Sequence, residues 1–165
     1  MLATAVINIL MMVPYVPSRN KVVKQLIKIA NLKNGEKIYD LGCGDGRILI
    51  EAEKAAHANN AKIKTVGYEA APIPFLLALI RKHWNRSGTK IRMKNFFRQN
   101  LGDADVIFCY LGPDTAGKLA NKIKDECRAG TRIYSHTFSF DGLPLKKSWP
   151  KNRAAGLPSI YYYQV

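Results

Sequence analysis

"IYDLGCGDGRILIEA", residues 38–52, sets three glycines and two aspartates between two apolar runs. A buried strand that feeds at once into a helix needs a sharp turn. Gly42, Gly44 and Gly46 give the backbone freedom to make it, and they remove Cβ atoms that would hold a ligand at a distance. The acids define the kind of ligand. A phosphate-binding loop offers bare N–H groups with no carboxylate nearby, whereas Asp40 and Asp45 suit a ligand that carries a cation and hydroxyls. The GxGxG spacing also departs from the GxGxxG dinucleotide fingerprint and from the P-loop.

Outward from this turn, the chain alternates between strand and helix. A strand is expected at about 37–41, a helix at 46–58, a strand at 63–68 ("IKTVGY"), a helix at 73–86 and a short strand at 90–94. "DVIFCYL", 105–111, reads as a buried strand, "DTAGKLANKIKDEC" as an amphipathic helix and "GTRIYSH", 130–136, as a fifth strand. Upstream, "NKVVKQLIKIANL", 20–32, sets Val22, Val23, Leu26, Ile29 and Ala30 on one helical face with lysines opposite. This alternation implies a mostly parallel sheet covered on both faces. "FDGLPLKKSWP" and "PSIYYYQV" break the rhythm and are expected to close the sheet as an antiparallel pair.

In such a sheet, ligands sit at the carboxyl ends of the strands. "VGYE" ends the second strand, and Glu69 follows Gly46 by 23 residues. An acid there can accept both hydroxyls of a ribose. Taken alone it would be an ordinary surface or capping acid, but the glycine turn upstream favours the ligand reading.

The bulk composition agrees with one folded domain. The chain has 165 residues, 47% of them apolar, with 26 Lys plus Arg against 12 Asp plus Glu, a net charge of +14. Between Ala70 and Gly102 there is no acid, but Arg81, Lys82, Arg86, Lys90, Arg92, Lys94 and Arg98 all occur. A second basic cluster, "KKSWPKNR", spans 146–153. Such a surface is either simply solvated or a landing patch for an anionic partner. Cys43, Cys109 and Cys127 form no CxxC pair, which argues against a disulfide framework and for a reducing compartment. No His/Cys grouping has metal-ligand spacing, so no metal is expected. Residues 1–13, "MLATAVINILMMV", are apolar and uncharged, yet shorter than the roughly 20 residues that span a bilayer. They read as a separate N-terminal segment ahead of a domain over 14–165. The segment either packs as an ordinary helix, lies at a membrane surface, or ends a trimmed spanning helix. The expected location is cytoplasmic, with membrane association through this segment, and an anionic membrane surface is an expected partner.

"DLGCGDGR" followed by "VGYE" resembles motifs I and II of class I S-adenosylmethionine-dependent methyltransferases. A narrower resemblance runs from Val13 to Val165 through "VPYVPS", "YDLGCGDGRILI", "GYEAAPI", "KNFF", "LGDADVIFCYLGPD", "AGTRIYSHTFSFDG" and the closing "YYY". In that order these stretches resemble the ATP synthase c-subunit lysine N-methyltransferase-like family and the archaeal protein-lysine methyltransferases similar to it. The resemblance implies a single-domain, Rossmann-like α/β fold with a mostly parallel seven-stranded sheet. It also implies S-adenosyl-L-methionine as cofactor and a lysine-bearing protein as substrate.

Carried over by residue, the resemblance gives Asp40, Gly42, Cys43, Gly44 and Asp45 to the methionine part of the cofactor and Glu69 to its ribose. Asn95, with Phe96 beside it, falls where the family contacts adenine; Phe96 and Phe97 read equally well as core aromatics. Tyr110 and Tyr15 are the candidates for lining a lysine channel, since aromatic walls suit an aliphatic stem and a developing cation. Tyr15 reads equally well as an apolar peg. Ser135 and His136 match the family too, and His136 reads more readily as a structural histidine than as a base. Where the family often has an acid this chain has Thr137. "YLGP" after the fourth strand lacks the (N/D)PP(Y/F) pattern of nucleobase and glutamine amino-group methylases. Two alternatives stay open: an RNA methyltransferase using the basic surface, with RNA ranked below protein as partner, and a non-catalytic cofactor-binding or membrane-associated protein.

Overall fold

The computed structural model describes residues 16–165. The segment 1–13 and Tyr15 lie outside them. The elements run α1 (Asn20–Ala30), β1 (Lys37–Leu41), α2 (Arg47–Ala58), β2 (Lys64–Glu69), α3 (Pro72–Trp84), β3 (Lys90–Met93), β4 (Val106–Cys109), α4 (Pro113–Glu126), β5 (Arg132–His136), β6 (Leu145–Trp149) and β7 (Ile160–Gln164). One sheet holds all seven strands in the order β3-β2-β1-β4-β5-β7-β6. Strands β1 to β5 pair in parallel, and β7 pairs antiparallel with both β5 and β6. The expected alternation and the closing antiparallel pair are both present.

Strand order reverses between β1 and β4, with Leu41 in register with both Tyr68 of β2 and Cys109 of β4. That reversal opens a crevice at the carboxyl ends of β1 and β4. On one face of the sheet Leu41, Tyr68, Ile107 and Tyr163 pack with Leu119, Ala120 and Ile123 of α4. On the other, Ile38, Phe108 and Tyr134 meet Leu26 and Ile27 of α1 and Leu49 of α2. Each fully buried Leu or Ile side chain there contributes about 1.5–3 kcal/mol. Helix α1 buries Ile27 rather than the expected Ile29, which is only half-buried, and ends on Asn31 in the left-handed conformation (φ 45°). Helix α3 is different, burying only Pro74 and Ala78. The basic run from Arg81 to Arg98 follows the end of α3 and the edge strand β3.

The expectation of a membrane-associated location is overturned. No helix among the described residues is long and apolar enough to cross a bilayer. The segment 1–13 on which that expectation rested lies outside the described residues, so nothing in the fold supports an anionic membrane surface as partner.

Candidate active site

The turn after β1 has all three glycines in the left-handed region, Gly42 at φ 76°, Gly44 at φ 54° and Gly46 at φ 73°. It is held to β2 from behind, because the N–H groups of Gly42 and Cys43 both donate to the Tyr68 carbonyl, at 2.9 and 3.0 Å. At Gly42 the left-handed backbone coincides with a close approach: a Cβ would stand 3.2 Å from Leu111 Cδ2, beyond the end of β4. The left-handed backbone favours glycine, and any Cβ would also have to press the tip of Leu111 aside. Cys43 is buried inside the turn, and burial first, then the charges of Asp40 and Glu69, push its thiol well above the usual range.

Three carboxylates surround this turn, and each has a different set of partners. Asp40, near the end of β1, is 2% exposed and its Oδ2 has no hydrogen-bond partner. Burial, and then the charges of Glu69 and Asp45, push its carboxyl up to about 8. Glu69 is half-buried and accepts from the Gly44 N–H at 2.9 Å and the Ala71 N–H at 2.8 Å. One acceptor site on each of its oxygens is used, and others remain. Asp45 is buried and faces cations of the protein itself. It accepts from Arg47 Nε at 2.8 Å, Arg47 Nη2 at 2.6 Å and Arg81 Nη2 at 2.7 Å. Burial alone would raise its carboxyl, but the bonds and charges of the two guanidiniums hold it below the ordinary value.

The other wall of the crevice is aromatic. Tyr110, half-buried just past β4, stacks on His136 with ring centres 4.0 Å apart and on Phe138 at 6.2 Å. His136 ends β5, and burial pushes its imidazole down to about 4, leaving it uncharged near neutrality. Its Nε2 shares a hydrogen bond with Ser18 Oγ at 2.8 Å, its Nδ1 one with Thr137 Oγ1 at 3.2 Å. Thr137 itself is exposed and holds φ 75°, which is strained for a β-branched residue. Ser135 Oγ donates to the Phe138 carbonyl at 2.6 Å, fixing the bend after β5.

Asn95 sits past β3, where its Oδ1 caps the short 3-10 turn Phe96–Arg98 by accepting from the Phe97 N–H at 2.9 Å. Phe96 and Phe97 lie 4.5 Å apart and half-buried against the core. Cys109 is buried inside β4, its thiol pushed up to about 12 by burial. Among the described residues no group of three or more His, Cys, Asp and Glu side chains is placed to hold a metal ion. Five participants were missed from sequence: Ser18, Arg47, Arg81, Leu111 and Phe138. Only Arg47, two residues from an acid in a buried turn, carried a local signal.

An orphaned acid oxygen beside a second acid with free lone pairs suits a cation that bears hydroxyls. The profile of the ANTKMT methyltransferase domain matches residues 40–147, well over half the chain. The chain belongs to that methyltransferase family. A protein-lysine N-methyltransferase of Saccharolobus islandicus is 37% identical over 132 residues, covering 79% of this chain and 80% of its own. The adenine nucleotide translocase lysine N-methyltransferase of Mus musculus is 31% identical over 76% of this chain, which spans about half (53%) of that relative. Among solved structures, an RNA methyltransferase from Salinibacter ruber in complex with S-adenosyl-L-homocysteine has a TM-score of 0.79 at 25% identity, covering 91% of this chain and 94% of its own. The chain is thus a methyltransferase dependent on S-adenosylmethionine.

Proposed function

We propose that this methyltransferase acts on lysine side chains of a protein. The observation that carries the reading is the uncharged aromatic wall of Tyr110, His136 and Phe138 at the ends of β4 and β5. The lysine N-methyltransferases of Saccharolobus islandicus and Mus musculus to which the chain is similar support it. In this reading Asp40 and the backbone of Gly42, Cys43 and Gly44 hold the methionine end of the cofactor, and Glu69 holds its ribose hydroxyls. Asp45 acts through Arg47 and Arg81 to keep the turn in shape, and Asn95 and Phe96 border the adenine. When bound, S-adenosylmethionine supplies a methyl group already activated on a sulfonium.

The protein's share is alignment and desolvation. A lysine amine reacts only when neutral, and its ordinary pKa is about 10.4. Tyr110 and Phe138 offer an apolar wall to the lysine stem, and low polarity disfavours the ammonium form. The uncharged imidazole of His136 can lie beside the amine without adding a like charge.

The test uses the full chain, methyl-labelled S-adenosylmethionine and host lysate, with the label mapped by mass spectrometry. Label on protein lysine is the expected result, absent in Glu69→Ala. Label confined to RNA, which the basic run from Arg81 to Arg98 could hold, would overturn the reading.

A further inference from the structure

A continuous line of contacts runs from the glycine turn to the aromatic wall. Asp45 at the turn binds Nε and Nη2 of Arg47. The remaining nitrogen of that guanidinium, Nη1, donates to the backbone carbonyl of Ser18 at 2.7 Å. The Ser18 hydroxyl shares its 2.8 Å bond with His136, and His136 stacks on Tyr110. Ser18 lies in the short stretch 16–19 that precedes α1, far in sequence from both of its partners. Its carbonyl is fastened to the turn after β1 and its hydroxyl to the end of β5.

We infer that Ser18, Arg47 and His136 are positioning residues that clamp the stretch 16–19 across the crevice, so that filling the glycine turn tightens the acceptor side. A guanidinium is planar and always charged, so its fork transmits any shift of Asp45 to Ser18 as a rotation. Ser18 in turn passes that rotation to His136, because both of its bonds leave from one residue. The imidazole is neutral, so its bond to the hydroxyl stays the same across the physiological range. The clamp itself needs only cofactor binding; its effect on the acceptor rests on the lysine reading above.

Hydrogen exchange on the full chain, read by mass spectrometry with and without S-adenosyl-L-homocysteine, tests it. In the wild type, saturation should slow exchange in peptides covering residues 16–23. Arg47→Met should abolish that slowing, and Arg47→Lys, which keeps a charge but not the fork, should retain part of it. Ser18→Ala cuts one hydrogen bond without touching the buried acid, so it remains informative if Arg47→Met fails to fold. It should blunt the slowing and raise KM for the lysine acceptor about fivefold, the worth of one hydrogen bond. Its kcat and its affinity for S-adenosyl-L-homocysteine should stay within about twofold of wild type, and Ser18→Thr should restore KM. Equal slowing in Ser18→Ala, Arg47→Met and wild type would overturn the clamp. So would an indifferent wild type that still methylates lysine, which leaves the proposed function standing. A responsive wild type that methylates no protein lysine sinks the acceptor reading and keeps the clamp.

Discussion

The Glu69 carboxylate accepts a hydrogen bond from the Gly44 N–H at 2.9 Å, tying the end of β2 to the turn after β1. The same carboxylate holds the Ala71 N–H at 2.8 Å at the start of α3. Two backbone donors therefore fix the acid in place before any ligand arrives. In Glu69→Gln, one of those N–H groups must face an amide NH2, donor against donor. The expected result is an affinity for S-adenosyl-L-homocysteine weaker by about 10–100-fold, because bonds to a charged group contribute roughly 1.5–3 kcal/mol. Calorimetry on a variant with an unchanged circular dichroism spectrum measures it. An affinity within threefold of wild type would remove Glu69 from the ligand site.

Asp40 gives the site a pH signature. Burial, then the charges of Glu69 and Asp45, raise its carboxyl from 3.8 to about 8 in the fold. An acid with a higher folded than unfolded value binds its proton more tightly when folded. The stability of the ligand-free protein should then fall as pH rises from about 4 to about 8 and level off above. In Asp40→Asn that slope should flatten. A cationic ligand requires the ionised form, so binding at pH 7 should release a proton. Calorimetry in buffers of different ionisation enthalpy reads the release, and Asp40→Asn should lose it along with most of the affinity.

His136 bears on the acid side. Burial lowers its imidazole from 6.5 to about 4. A base with a depressed folded value lends stability that is complete above the unfolded value and is lost as pH falls from about 6.5 to about 4. His136→Gln keeps a group able to bond Ser18 but cannot titrate. Urea denaturation at pH 7 and pH 5 should show a smaller loss in the variant than in wild type. An identical loss would place the acid sensitivity elsewhere.

What was legible in the sequence follows from what is local. The glycine turn, Glu69 and the strand–helix alternation were readable because backbone freedom and hydrophobic period leave marks over a few residues. Asp45 shows the limit. Its carboxylate lies between Arg47 and Arg81, an arrangement the motif does not announce, because Arg81 comes from a helix 36 residues away. Asn95 spends its side-chain oxygen on a local cap, a use invisible without the turn that follows it. The bond between Ser18 and His136 joins residues 118 apart, and only the folded sheet brings them together.

Gly67 carries a constraint that the strand pattern around it concealed. It lies in the middle of β2, buried, and its φ is not in the left-handed region, so backbone freedom is not the reason for glycine. Space is the reason. A Cβ there would stand 2.6 Å from Cys43 Sγ and 3.0 Å from both Cys43 Cβ and Leu49 Cδ1. The turn can approach β2 closely enough to bond the Tyr68 carbonyl only because position 67 is bare. Gly67→Ala should therefore force Cys43 outward and cost about 1–3 kcal/mol, the usual penalty for overpacking a filled site. Because the displaced residue belongs to the turn, affinity for S-adenosyl-L-homocysteine should fall together with the melting temperature. Cys43→Ala removes the sulfur that makes the shortest contact, so the double variant should recover part of both losses. A double-mutant cycle run on stability and on binding separates this coupling from the separate effects. Strict additivity in both would mean that strand and turn do not meet through this contact.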